Sequence, residues 1–191
     1  MKFIKKKAVL PGFVLILFLA VWIYFVYDIN AAYPSPKNYE YKEGETFEYY
    51  GLKVTPKEIE VFDYDEFCQK IEGFRDYSEG DEVFENSIYF LAHIHVENPA
   101  KEDKIFKFAD ISTWMLEVDN CSNGMSDDLA YLVDYSDDIY KAGSNMDIVL
   151  PYYLYKENIR CKTKEELLQH DIKIVAKYYP KKEYIYYESE D

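Results

Sequence analysis

A run of twenty residues without a charge, Ala8–Tyr27, directly follows Lys2, Lys5, Lys6 and Lys7. At 1.5 Å rise per residue a helix of that length measures ~30 Å, the thickness of a bilayer's hydrocarbon core. In lipid each backbone amide must be satisfied within the segment, so the run is expected to be helical. Pro11 and Gly12 fall in its first turns, where a proline's missing N–H costs least. Trp22, Tyr24, Phe25 and Tyr27 crowd the far end in the manner of an interfacial aromatic belt. Basic flanks stay on the cytoplasmic side, so the remainder is expected outside the cell. The competing reading is a cleaved signal peptide, whose apolar region normally spans ~7–15 residues. Cleavage after Ala32 would place Asn30 at the third position back, and cleavage after Ala31 would place Ile29 there, both poor choices. A retained anchor is therefore preferred, with 1–7 as a cytoplasmic basic stub and 8–27 as a transmembrane helix. The first cysteine is Cys68, so no lipid-bearing cysteine follows the apolar run.

The whole chain of 191 residues carries a formal net charge of −14. Without the four leading lysines, 18 basic residues face 36 acidic ones, a net of −18 for the part beyond the apolar run. Such acidity argues against nucleic acid, whose phosphates call for Lys and Arg. It suits solubility in a crowded envelope. Cys68, Cys121 and Cys161 allow one disulfide plus a free thiol, or none; Cys121 and Cys161 both stand in loop-like sequence and are the preferred pair if a bridge exists.

Residues 28–40, with Pro34 and Pro36, read as a short, partly extended linker. Beyond it the chain alternates with period two. Thr46, Phe47 and Tyr49, then Leu52 and Val54, flank a turn at Tyr50-Gly51. Leu52 and Val54 are even-numbered but Ile59 and Val61 are odd, so an extra residue near Pro56 is expected as a bulge or edge. Asp63 with Glu66 resembles a capping box, and Phe67 with Ile71 share a helical face. The segment 74–86 reads as an acidic loop. Ile88, Phe90, Ala92, Ile94 and Val96 form one face of the strongest strand; Tyr89, Leu91, His93, His95 and Glu97 form the other. Phe106 and Phe108 alternate, as do Trp114, Leu116 and Val118; 120–128 reads as a polar loop, 131–135 as a short strand and 141–145 as a turn around Gly143. Met146, Ile148 and Leu150 begin a strand expected to stop near Pro151. Thr163 with Glu166 opens a second short helix, and Ile172, Ile174, Ala176 and Tyr178 make the last firm strand. The tail 181–191 is acidic and Tyr-rich; Tyr184–Tyr187 either adds an edge strand or stays mobile. Seven or so short strands with two minor helices indicate an all-β sandwich over residues 41–180.

Three stretches match a known pattern in type and order: Glu43-Gly44-Glu45-Thr46 leading through Gly51-Leu52-Lys53-Val54, the strand ending Val96-Glu97-Asn98, and Lys141-Ala142-Gly143-Ser144 leading into Ile148-Val149-Leu150-Pro151. The chain resembles the telokin-like, immunoglobulin-like domains of uncharacterised secreted and membrane-anchored proteins of Gram-positive bacteria, over roughly residues 41–179. That resemblance implies an immunoglobulin-like β-sandwich outside the membrane and supplies no catalytic residues. The segment 63–86 and the Tyr-rich tail depart from it.

Several constellations bear on chemistry. His93 and His95 would stand ~6.6–7 Å apart on one strand face and would need a carboxylate from a neighbouring strand to hold a metal; the preferred reading is two solvated imidazoles. His170 is distant in sequence. Asp119–Asp128 is rich in oxygen donors, but Cys121 and Ala130 stand at the third and twelfth places of an EF-hand started at Asp119. It is read as a solvated acidic loop, as are Asp134, Asp137 and Asp138. Cys68 beside His93 or His95 would be needed for a thiol nucleophile. No nucleophile elbow, phosphate loop or His-Glu-x-x-His occurs. The tyrosines at 152, 153, 155, 178, 179, 184, 186 and 187 suit a binding platform or, as preferred, cross-strand pairs that stiffen the sheet.

The expectation is a single-pass, non-enzymatic envelope protein, integral to the membrane, with no cofactor or metal, whose outer domain binds or scaffolds a protein or cell-wall partner. The alternative is an accessory or sensory subunit of a transporter or signalling complex, acting through its membrane helix because seven residues are too few for a cytoplasmic output domain.

Overall fold

The computed structural model describes residues 9–105, 108–133 and 139–189, with side chains from Gly12 onward in the first helix and from Asp110 in the helix that starts at Phe108. The chain divides into two units, Met1–Lys37 and Asn38–Asp191. In the first, helix α1 (Val9–Ala32) continues five residues past the expected end at Tyr27. Asp28, Ile29, Asn30, Ala31 and Ala32 contain no proline, and Pro34 is the first residue that cannot continue a helix. From Phe13 onward every side chain of α1 is exposed, so it has no buried stripe. The span Gly12–Ala32 is long and apolar enough to cross a membrane. The stretch expected as a linker is thus mostly structured, because strand β1 (Lys37–Tyr41) begins soon after Pro36.

The second unit is built from strands β2 (Phe47–Tyr49), β3 (Leu52–Phe62), β4 (Ser87–Glu97), β5 (Lys104–Ile105), β6 (Met115–Val118), β7 (Cys121–Gly124), β8 (Ile139–Tyr140), β9 (Asn145–Tyr155), β10 (Ile172–Lys177) and β11 (Lys181–Tyr187). One sheet has the order β1-β11-β10-β6-β7, a second the order β2-β3-β4-β9, and β5 pairs with β8. Side chains of both large sheets meet in one core: Phe47, Leu52, Phe90 and Ile94 from one, Leu116, Ile174, Ile185 and Tyr187 from the other. The architecture is therefore sandwich-like. It carries several short helices rather than two: α2 (Tyr64–Lys70), α3 (Phe74–Ser78), α4 (Glu82–Glu85), α5 (Phe108–Ile111), α6 (Asp127–Leu132) and α7 (Lys164–Leu167).

Local chemistry explains the elements. Tyr50 and Gly51 both take positive φ, 48° and 75°, the turn that matches the twist of a two-residue hairpin. Phe47 then pairs with Val54. The register between β3 and β4 shifts between Pro56 and Ile59, which is the extra residue the parity change requires. Asp63 Oδ1 accepts from Glu66 N at 3.0 Å and Glu66 Oε2 from Asp63 N at 3.1 Å, completing the capping box of α2. Thr163 Oγ1 accepts from Glu166 N, but the Glu166 carboxylate reaches one residue further, to Lys162 N. Asn98 is fully buried. Its amide donates to the carbonyls of Glu102, Tyr140 and Lys141 at 3.0, 2.8 and 3.2 Å, pinning the end of β4 to the turn at Gly143.

Four expectations need correction. The segment 74–86 is not a loop: Asp81 Oδ1 caps α4, and Phe74 and Phe84 close on each other at 5.8 Å. Residues 127–132 are helix α6, capped by Ser126 Oγ, where a short strand over 131–135 was expected; Phe106 and residues 134–138 lie outside the described residues. Strand β9 runs through Pro151. It is an edge strand, and Pro151 O accepts from Ser126 N on the open side, so the absent N–H of Pro151 faces that side too. Strand β11 is an interior strand between β1 and β10, paired with β10 from Ile172 opposite Tyr187 to Lys177 opposite Glu183.

The largest difference concerns β4. Its even-numbered residues are in the core, as alternation demands. Tyr89 and Leu91, on the opposite face, are buried as well, beneath a second apolar cluster with Phe67, Phe74 and Leu129. Phe67 stacks on Tyr89 at 4.3 Å, Phe74 meets Tyr89 edge-on at 5.3 Å, and the Tyr89 hydroxyl donates to Phe84 O. Each such ring pair contributes ~0.5–1.5 kcal/mol beyond its buried area. Leu91→Ala is expected to destabilise by ~2–5 kcal/mol, the same range as the core change Ile94→Ala. Urea denaturation monitored by fluorescence checks this; a Leu91→Ala loss within ~0.5 kcal/mol of zero, the surface value, contradicts the two-sided burial.

Candidate functional site

The two histidines of β4 do have carboxylates from neighbouring strands. His93 Nε2 meets Glu60 Oε1 of β3 at 2.9 Å, and His95 Nδ1 meets Asp147 Oδ1 of β9 at 2.7 Å. Each carboxylate already holds an ammonium: Lys70 Nζ lies 2.8 Å from Glu60 and Lys57 Nζ 2.7 Å from Asp147. A cation placed beside either imidazole would face a lysine, so these are ion-pair clusters and not ligand sets. Burial pushes the Glu60 carboxyl up, but hydrogen bonds from Lys70 and His93 outweigh it and leave it below its ordinary value. Asp147 is lowered by hydrogen bonds from Lys57 and His95.

Other sequence candidates disperse. Cys68 sits on α2, packed at the margin of the Phe67–Tyr89 cluster, while His93 and His95 are engaged elsewhere. The stretch 119–128 forms a hairpin end, strand β7 and the capped start of α6, and does not have the single-loop form of an EF-hand. Asp134, Asp137 and Asp138 lie outside the described residues. Tyr152 and Tyr187 enter the main core, and Tyr153 packs on the second cluster. Tyr39, Tyr178, Tyr184 and Tyr186 carry lysines over their rings: Lys181 at 4.9 Å from Tyr39, Lys182 at 5.3 Å from Tyr178, Lys173 at 5.8 Å from Tyr184 and Lys42 at 5.6 Å from Tyr186. These tyrosines stiffen the β1-β11-β10 surface through cation–π contacts rather than forming a bare aromatic platform.

The arrangement that sequence order conceals lies at the opposite end of β6. Asp119 and Asn120 form the turn between β6 and β7, both with positive φ, 41° and 65°. Ile172 of β10 stands opposite Val118 of β6, and the strands run antiparallel. The residues before Ile172 are therefore carried past the β6–β7 turn, which brings His170 to Asp119: Nδ1 and Oδ1 are 3.8 Å apart. Cys161 approaches the other carboxylate oxygen, Sγ to Oδ2 at 3.7 Å. One ligand atom from each of the three residues lies within 4.8 Å of the others. Burial pushes the Cys161 thiol up, and the adjacent Asp119 carboxylate adds to the effect, the reverse of what a thiolate nucleophile needs. Beside the turn lies a depression of 340 Å³ with a polar lining that includes Glu117, Asn120, Ser122, Asp171 and Lys173. All three cysteines are free thiols, Cys121 and Cys161 among them, which is the unbridged alternative left open by the sequence. Sequence spacing gave no hint of this grouping, since Asp119 belongs to the β6–β7 turn while Cys161 and His170 stand on either side of α7.

Glu117, next to this end, accepts from Tyr178 Oη at 2.8 Å and from Lys182 Nζ at 2.8 Å. Burial raises its carboxyl, and these two donors more than offset that, so it is held below its ordinary value. A carboxylate depressed on folding stabilises the fold above its unfolded value and loses that contribution as pH falls through its folded one. Glu117→Gln is expected to be less stable than the parent at pH 7 and to lose less of its stability between about pH 5 and pH 3, because it lacks that titration. Urea midpoints at the two pH values test this.

No curated protein matches the chain. Among solved structures it is similar to a conserved hypothetical protein from Bacillus anthracis, with 15% identity and a TM-score of 0.47 over 75% of this chain and 94% of that one. It is also similar to an uncharacterised β-sandwich protein from Clostridium difficile 630, with 11% identity and a TM-score of 0.47 over 80% of this chain and 96% of that one. A functionally unknown protein from Listeria monocytogenes EGD-e shares 10% identity, with a TM-score of 0.44 over 76% and 81%. The model of a domain of unknown function, DUF5028, matches residues 26–183. The chain belongs to the DUF5028 family.

Proposed function

We propose that this chain is a single-pass cell-envelope protein of a Gram-positive bacterium, with an immunoglobulin-like C-terminal domain outside the cell that binds or scaffolds a protein or cell-wall component and carries out no catalysis. The observation that carries the reading is the exposure of α1. From Phe13 to Ile29 its large apolar side chains face outward on every side, and no polar face divides them. A stable helix of this kind in water would leave that surface unburied, whereas a bilayer accepts it. Two further points agree. The lysines ahead of the helix are the flank expected on the cytoplasmic side. Glu60, Glu117 and Asp147 are each held by a lysine from a neighbouring element, which suits a rigid display scaffold.

Treatment of intact cells with protease tests the topology. A tag at the C-terminus is expected to vanish without lysis, leaving a short membrane-protected fragment. A chain that stays whole until the cells are lysed would overturn the reading. Capture of partners with the full chain, compared with a chain whose α1 is replaced by an unrelated apolar helix, distinguishes recognition by the domain from recognition by the helix; loss of the partner on that replacement contradicts a role centred on the domain.

A further inference from the structure

We propose that Asp119, Cys161 and His170 form the protein half of a binding site for one zinc-class divalent cation, with a remaining coordination position open to solvent. The donor set is the mixed carboxylate, thiolate and imidazole chemistry that borderline-soft metals take, with three protein ligands and an exchangeable water completing a tetrahedron. The spacing fits. Bond lengths of ~2.3 Å to sulfur and ~2.0–2.2 Å to nitrogen and oxygen place tetrahedral neighbours about 3.4–3.6 Å apart. Sγ lies 3.7 Å from Asp119 Oδ2 and the imidazole Nδ1 3.8 Å from Oδ1, on the two oxygens of one carboxylate, and with one ligand atom taken from each residue all three lie within 4.8 Å of one another, so small side-chain rotations bring them to that spacing.

Burial and support point the same way. Cys161 is 7% exposed. The Asp119 side chain is 12% and that of His170 43% exposed, so the trio is closed on the protein side and open on one. Asp119 is fixed by the positive-φ turn and by the pairing of Val118 with both Cys121 and Ile172. Cys161 and His170 flank α7, whose Leu167 is fully buried and whose N-terminus is capped by Thr163. His170 N donates to Leu167 O at 3.0 Å. Lys162, next to Cys161, turns its ammonium to the carbonyls of Lys156 and Ile159 at 2.6 and 2.7 Å, away from the carboxylate. Among the described residues no lysine or arginine forms an ion pair with Asp119, in contrast to Glu60 and Asp147. Asp119 is thus a carboxylate with a thiol and an imidazole on it and no ammonium. On binding, the cation takes the place of the thiol proton, which leaves to solvent, and His170 ligates through neutral Nδ1.

The full chain, purified in detergent and stripped of metal, is titrated with cobalt(II) and then with zinc. The expected result is one cobalt per chain, a thiolate-to-cobalt charge-transfer band in the near ultraviolet, and displacement of that band by zinc. Cys161→Ser abolishes the band. His170→Gln, at a half-exposed position that does not threaten folding, keeps the native melting behaviour in chelator and weakens zinc binding at least about tenfold, the loss that even an outer-shell partner carries. His95→Gln binds as the parent does. Absence of the charge-transfer band, parental affinity in His170→Gln, or an equal loss in His95→Gln overturns the site.

Discussion

Everything in this domain leans on the burial of β4 from both sides. Its even-numbered residues close the sandwich core and its first odd-numbered residues, Tyr89 and Leu91, lie under α2, α3 and α6. A strand with two apolar faces cannot be edge or surface. It must have a partner strand on each flank and a cover on each face. β3 and β9 supply the flanks, each paired along most of its length. The short helices supply the outer cover, and the aromatic rings of Phe67, Phe74 and Phe84 give it enough area to hold segments too short to be stable alone.

The outer cover stops partway along the strand, and the chemistry of the surface changes there. Beyond Leu91 the outward positions are His93, His95 and Glu97, each paired with a charge from a neighbouring strand: Glu60, Asp147 and Lys53. Exposed pairs of this sort contribute little individually to stability. Their consequence is mainly negative, since they occupy the carboxylates that would otherwise recruit a cation to the histidines. The ligand-like trio forms instead where a turn and the approach to β10 meet, and there, among the described residues, no lysine or arginine pairs with the carboxylate. In an acidic domain such a carboxylate is common; one half-buried beside a thiol and an imidazole is a more specific arrangement.

Much of the fold could be read from the residues, for identifiable reasons. The inward face of β4, the Tyr50-Gly51 turn, the bulge near Pro56 and the capping box of α2 all follow from interactions within a few positions or from period-two alternation. What escaped reading depended on distant partners. Leu91 alternates like a solvent-facing residue, and only the packing of helices from segments 64–85 and 127–132 makes it buried. Pro151 looks like a strand end until β9 is known to be an edge. Lys181–Tyr187 looks like a tail until β1 and β10 are found on either side of it.

The sequence by itself determined the long apolar helix, the sandwich-like β character and the acidity, because each depends on composition, on period or on a local turn. Tertiary structure alone decided which histidine meets a carboxylate that no described lysine shares. His93 and His95 look like the pair by spacing, yet lysines from β3 and α2 take their partners. His170 looks isolated, yet the antiparallel register of β6 and β10 places it against Asp119, with Cys161 close by. Spacing along a chain limits only near neighbours, and a ligand set drawn from three elements exists only once strand pairing has fixed where their ends meet.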